Sequence, residues 1–251
     1  MQYIHRLALG IGLAWLGATS AAAQDPAGAE SNDWDVSFTP YLWVAGTKGD
    51  IGVPRGDGAE IDRSFADLMG NLKFAFMGAL DVRHGRLVAI TDVMYLSVGA
   101  KAEGIREPQF VEGKLDTSVF LGTGAVGYRV VDKGPMFVDL FVGGRYSSLK
   151  ADVELTGPLQ TRRRKGSASN VSALAGGRVR VPLGENWGLA LYSDVGSGDV
   201  KWQALATVQH DFSRHWRVAA GYRHMSINHS KNDFEFDVAL SGPIVGVTYK
   251  F

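Results

Sequence analysis

The chain has no cysteine. Neither a disulfide nor a thiolate-bound metal can hold it together, so its stability must come from packing or from a sheet closed on itself. After the N-terminal segment no uncharged apolar run reaches the ~18 residues of a membrane helix, which argues against a helical membrane protein. Charge of one sign is missing too: 26 Lys and Arg balance 26 Asp and Glu. That leaves no basic excess of the kind nucleic-acid binding requires, and no nucleic-acid partner is expected. Histidine is scarce at 6 residues. No metal-ligand spacing, glycine-rich phosphate loop or dinucleotide fingerprint stands out, so neither a metal nor a cofactor is expected.

What is present starts with an export leader. Arg6 supplies a positive end, Leu7 to Leu16 is uncharged and mostly apolar, and Ala21-Ala22-Ala23 precedes Gln24. This is the order of a cleaved signal peptide. The alternative, an anchoring helix, needs a longer apolar run of ~20 residues. The expected organisation is a leader at 1–23 and one β-barrel at 24–251. Losing the leader removes Arg6 and leaves a formal charge of −1. Glycine is abundant, at 32 of 251 residues, and many glycines lie inside alternating apolar runs, as in Leu121-Gly122-Thr123-Gly124-Ala125. Within strands glycine marks bends and close backbone approach, which a curved wall needs.

Alternation with period 2 is the main signal. In Gly242 to Phe251, Pro243, Val245, Val247, Tyr249 and Phe251 share one face, and Gly242, Ile244, Gly246, Thr248 and Lys250 the other. Successive side chains of a strand point to opposite faces, so such a strand has an oily side and a small or polar side. The same pattern recurs and predicts ten strands, at 35–46, 71–83, 86–99, 114–131, 135–150, 168–182, 186–195, 200–212, 215–228 and 235–251. Pro40 makes the first the weakest, because proline cannot donate to a ladder. Tight polar turns at 83–86, 131–134, 183–186 and 212–215 alternate with longer polar stretches at 47–70, 100–113 and 151–167. The predicted fold is an all-β, antiparallel, up-and-down transmembrane barrel of about ten strands, with eight to twelve compatible. The short turns would be periplasmic and the longer loops external. Tyr128, Trp187, Phe212, Trp216, Tyr249 and Phe251 fall near the expected periplasmic strand ends, on outward faces, where aromatic rings favour a membrane boundary. A soluble β-sandwich shares the alternation and remains the competing architecture.

The terminal Val247-Thr248-Tyr249-Lys250-Phe251 resembles the closing-strand signature of bacterial outer-membrane proteins. That resemblance implies a partner, the periplasmic barrel-assembly machinery, reading Tyr249 and Phe251. Phe38-Thr39-Pro40-Tyr41-Leu42-Trp43, Ser64-Phe65-Ala66-Asp67-Leu68-Met69, Gly221-Tyr222-Arg223 and Ser241-Gly242-Pro243-Ile244-Val245-Gly246 resemble a family of proteobacterial outer-membrane barrel proteins. The likeness implies fold, an outer-membrane location and outer-membrane lipid and lipopolysaccharide as neighbours. It implies no activity.

Parity places Asp35, Lys73, Asp81, Asp92, Asp139, Arg145, Arg178, Arg180, Arg217 and Arg223 inside the barrel. They would form either a salt-bridge network filling a narrow lumen or the lining of a small pore; at about ten strands side chains come close to filling the interior. Asp62 to Met69 has the spacing of a short amphipathic helix, able to cap the mouth or to pack on its own strands. His224 and Ser226 share an outward face, and a tight hairpin after them would set Glu235 opposite Ser226 and Asp237 opposite His224. Ser, His and a carboxylate within reach make an activated nucleophile. The pair resembles the His-x-Ser of outer-membrane lipid A deacylases, which implies an alternative function as an outer-leaflet lipid hydrolase; that family carries Asn directly after the Ser, whereas here Ile227 intervenes before Asn228. Arg162-Arg163-Arg164-Lys165 is expected in an outer loop, where it could meet anionic lipopolysaccharide. Outer loops acting as an adhesive or ligand-binding surface are a third possibility.

Overall fold

The computed structural model describes residues 33–52, 59–63, 71–103, 112–157, 161–231 and 234–251. The expected leader and residues 64–69 of the amphipathic stretch lie outside them; Asp62 and Arg63 fall on a short strand. No described helix is long and apolar enough to cross a membrane, which says nothing of strands.

The elements are β1 (Trp34–Trp43), β2 (Gly46–Gly52), β3 (Ala59–Arg63), β4 (Leu72–His84), β5 (Leu87–Glu103), β6 (Glu112–Lys133), β7 (Met136–Thr156), β8 (Thr161–Pro182), β9 (Trp187–Gly196), β10 (Val200–Asp211), β11 (Trp216–Lys231) and β12 (Phe234–Lys250). In the wall β1 is followed by β4 to β12 in chain order, every neighbour antiparallel, and β1 pairs with β12 to close a ten-strand barrel. The seam sets Phe38 opposite Tyr249 and Leu42 opposite Val245. The last residue extends it, since Phe251 N donates to Val36 O at 3.0 Å. β2 continues up β12 beyond β1, and β3 pairs with β2. The β1–β4 ladder stops where Pro40 meets Gly78, consistent with the N–H that proline lacks.

One end of the barrel carries the tight turns. Gly85 and Gly134 take φ of 57° and 62° there, a backbone that two-residue hairpin turns require and that glycine adopts without strain. The other end, the loop end, differs from expectation. Strand pairing continues through most of 151–167, with β7 and β8 in register as far as Thr156 and Thr161. Arg162 to Lys165 therefore lie on β8 rather than in a loop. Polarity hides a strand period that persists: Leu149, Ala151, Val153 and Leu155 alternate with Lys150, Asp152 and Glu154. The upper parts of β5, β6, β7 and β8 stay paired beyond the ends of β4 and β9 and form a projecting blade.

Outward faces carry an apolar band. On β8 it runs from Val171, 78% exposed, to Val181, matching the ~9–11 residues of a tilted membrane-crossing strand. Rings cluster outside near the turn end, where Trp216 meets Tyr249 and Tyr249 meets Phe251, each with centroids 4.9 Å apart. Three register shifts break the parity, at Leu72/Phe74, Arg129/Val131 and Val200/Trp202. A bulge inserts one residue and re-aims those beyond it.

Candidate functional site

The lumen holds two layers and a cavity. Toward the loop end, Trp43, Met77, Met94, Leu121, Val200, Met225 and Ile244 pack into one buried cluster. They come from seven of the ten wall strands, β10 to β12, β1 and β4 to β6, which include the facing pairs β5 with β10 and β6 with β11, so the cluster reaches across the lumen. Met225 is fully buried.

Beneath it lies a hydrogen-bonded layer. Arg145 Nε donates to Thr123 Oγ1 (3.1 Å), and its Nη2 donates to both Asp194 oxygens (2.9 and 2.8 Å). Asp194 also accepts from Tyr192 Oη (2.7 Å) and Gln203 Nε2 (2.6 Å). Gln203 Oε1 accepts from Arg223 Nη2 at 2.7 Å. Arg223 then bridges to Tyr41 Oη (3.1 Å) and Asp92 (3.4 Å), and Tyr41 Oη donates to Asp92 at 2.8 Å. The chain of bonds runs without a break from β6 and β7 through β9, β10 and β11 to β5 and β1. The Arg223 guanidinium also lies 4.9 Å from the centroid of the Trp43 ring, joining this layer to the apolar one. Ions buried this deeply persist only when paired; the pairing here is close to complete, with Arg145 Nη1 the buried donor of the layer that has no protein partner.

Toward the turn end the lumen opens into a cavity of about 530 Å³, reaching Gly134, Pro135 and Phe251 at its rim. Its walls carry two ion clusters. Asp139 accepts from Arg129 Nε and Arg178 Nε, each at 2.8 Å, and Arg178 continues to Asp81. Asp211 takes Arg180 Nη2 (2.8 Å), Arg217 Nε (2.9 Å) and Lys250 Nζ (2.5 Å). Gly188 makes room for this second cluster, because a Cβ there would meet the Arg180 guanidinium at 2.9–3.0 Å. Near the rim Arg83 pairs with Asp35. The bulge at Val130 turns Asp132 toward the same Arg83, 3.6 Å away.

Of the ten residues assigned to the lumen by parity, Asp35, Asp81, Asp92, Arg178, Arg180, Arg217 and Arg223 line the cavity. Asp139 and Arg145 are buried in the networks. Lys73 is not with them. It is the extra residue of the β4 bulge, its side chain is 53% exposed, and it pairs with Asp116 across Gly99 on the outer face. Tyr41, Arg129, Asp194, Gln203, Asp211 and Lys250 complete the networks, although nothing singles them out in the sequence alone. A signal exists for some of them: Tyr41 shares the parity of Asp35 on β1, and Lys250 falls on the small or polar side of the alternation in Gly242 to Phe251, whereas β6, β9 and β10 carry no residue that parity assigns to the lumen.

The His224 and Ser226 constellation is arranged otherwise than a tight hairpin implies. Ser226 faces Ala239, His224 faces Ser241, Asp237 faces Asn228 and Glu235 faces Ser230. The hairpin is longer, so Glu235 sits four positions beyond Ser226 along the ladder, roughly 13 Å at the strand rise. His224 Nδ1 instead shares a 2.6 Å hydrogen bond with Ser241 Oγ, and its ring lies 4.7 Å from that of Trp202.

The blade is the other polar surface. On its outer face Asp152 accepts from Arg163 Nη2 (2.5 Å) and Nε (2.9 Å), with Lys165 Nζ at 3.6 Å. The Arg163 hydrogen bond, more than any other influence, holds the Asp152 carboxyl below its ordinary pKa.

No family model matches the chain, and no curated protein matches it in sequence. Solved structures do. The chain is similar to the outer membrane protease OmpT from Escherichia coli, with 10% identity over 88% of this chain and 98% of that one and a TM-score of 0.50. It is similar also to the translocator domain of the autotransporter NalP from Neisseria meningitidis, with 15% identity over 88% and 90% of the two chains and a TM-score of 0.44. The class defined at these identities is one of fold, the closed antiparallel β-barrel.

Proposed function

We propose that this chain is an exported outer-membrane barrel of a Gram-negative cell, non-enzymatic and non-conducting, with its turns in the periplasm and its blade outside. The observation that carries the closed-lumen reading is the unbroken pair of layers, apolar cluster on hydrogen-bonded plate, bridging opposite walls. An ion crossing there would have to displace buried, paired charges and a fully buried methionine. The membrane reading rests on the outward band, its length and the ring cluster at the turn end. Tyr249 and Phe251, on the seam strand, are the residues offered to the assembly machinery. Refolded protein in planar bilayers is expected to show no channel steps; regular steps at any applied voltage would refute closure.

A second role is favoured by the blade. Arg162 to Lys165 stand on a projecting strand beyond the apolar band, all of them exposed, and with the blade outside they would be available to lipopolysaccharide phosphates. An R163Q/K165Q variant is expected to bind lipopolysaccharide vesicles less tightly at low salt, and unchanged binding would remove this role.

A further inference from the structure

The cavity at the turn end is more than a leftover of closure. Seven cationic side chains line it with three carboxylates, Asp35, Asp81 and Asp92, and the same cations are also paired with Asp132, Asp139 and Asp211. The surplus is concentrated at Asp211, where one carboxylate faces Arg180, Arg217 and Lys250. Three cations around one anion leave a local charge of about +2, on walls shielded from bulk water, where such a charge acts strongly. At about 530 Å³ the cavity has the size of a small-ligand site.

We propose that this cluster binds a dianionic phosphate group that enters from the turn end. A phosphate supplies the two negative charges the cluster lacks, and guanidinium groups match its oxygens in geometry. Arg180 is fixed in position before any ligand arrives. Its Nε donates to Gln209 Oε1 (2.9 Å), its Nη1 donates to Pro135 O (3.1 Å), and Gly188 lets the guanidinium lie against the wall. Arg217 and Lys250 come from adjacent strands on the other side of Asp211. The sealed layers above the cavity make it a pocket with one entrance, so the ligand is held and not conducted.

A ³¹P NMR titration of the refolded barrel in a phosphate-free, non-ionic detergent tests this, run once with inorganic phosphate and once with glycerol 3-phosphate. Saturable binding is expected for both if the site reads the phosphate group, and for inorganic phosphate alone if it admits the free ion only. R217Q is expected to weaken binding about tenfold, the loss of a hydrogen bond to a charged group. R163Q/K165Q, on the blade, should change nothing. If R217Q does not regain the heat-modifiable mobility of a folded barrel, K250Q carries the same expectation. No saturable binding to the unaltered protein, equal binding by the cluster variants, or loss in the blade variant would each overturn the proposal. Because the titration is done in detergent, a negative result leaves the membrane reading intact. Channel activity, conversely, would refute closure without bearing on the phosphate.

Discussion

The lumen and the blade use the same chemistry in different surroundings. In the lumen Arg145 holds Asp194 with side chains 1% and 0% exposed; on the blade Arg163 holds Asp152 with 56% and 24%. Both aspartates accept from both their oxygens. Only the first pair is committed, because its ions have no water to fall back on. An exposed pair gains little over solvation and is screened by salt, whereas removing one partner of a buried pair strands the other. The barrel is therefore rigid where its charges are hidden and tolerant where they project.

The sharpest way to break the comparison is to remove each acid in turn. Asp194→Ala leaves the Arg145 guanidinium, the Tyr192 hydroxyl and the Gln203 amide short of an acceptor, and is expected to cost about 3–5 kcal/mol. Urea unfolding of the refolded barrel, followed by tryptophan fluorescence, reads that loss. Asp152→Ala is expected to leave the midpoint unchanged. If the two variants unfold together, the lumen network is not what holds the wall.

A smaller contrast comes from glycine. Gly143 and Gly166 both face inward, one in the wall and one in the blade. A Cβ on Gly143 would lie 2.1 Å from Gly124 O and 2.6 Å from Ala125 Cα, both backbone atoms that cannot step aside; a Cβ on Gly166 meets nothing within 4 Å. Gly143→Ala is expected to destabilise by about 1–3 kcal/mol through overpacking. Gly166→Ala should be neutral or stabilising by up to ~1 kcal/mol, since glycine weakens a strand interior. Loss of stability in Gly166→Ala comparable to that in Gly143→Ala would mean that something packs against the inner face of the blade.

Much of this contrast is legible in the residues themselves. Strand spans and the closed antiparallel fold follow from period 2 because a barrel wall is oily on one side only, a constraint each strand records separately. Lys73 shows where parity fails. One inserted residue reverses the face, and nothing in Leu72-Lys73-Phe74 announces a bulge. The blade is hard to read for a related reason: outside the apolar band both faces of β8 are polar from Thr161 to Asn170, so strand and loop look alike there, although β7 beside it keeps its alternation. Ion pairing is illegible for another reason. Parity says that Asp92 and Arg223 share the interior, but only the ring geometry brings β5 and β11 to face each other across it. In the same way, whether Glu235 can reach Ser226 depends on hairpin length, which polar residues 229–234 leave open.

The smallest expected effect concerns acid. Asp152 titrates below its ordinary pKa of 3.8 because Arg163 donates to its charged form. A depressed carboxylate contributes to stability above its unfolded pKa and loses that contribution as pH falls through the folded one. The blade pair should therefore be intact at neutral pH and weaken only below pH 3.8. The Asp152 carboxyl ¹³C shift is expected to titrate with a midpoint under 3.8. In Arg163→Gln the midpoint should return toward the ordinary value, and in unaltered protein it should also rise with salt, since screening reaches an exposed pair. A midpoint at or above 3.8 in low salt would show that the hydrogen bond is not kept in solution. The blade would then differ from the lumen in having no persistent pairing at all, rather than pairing that water makes dispensable.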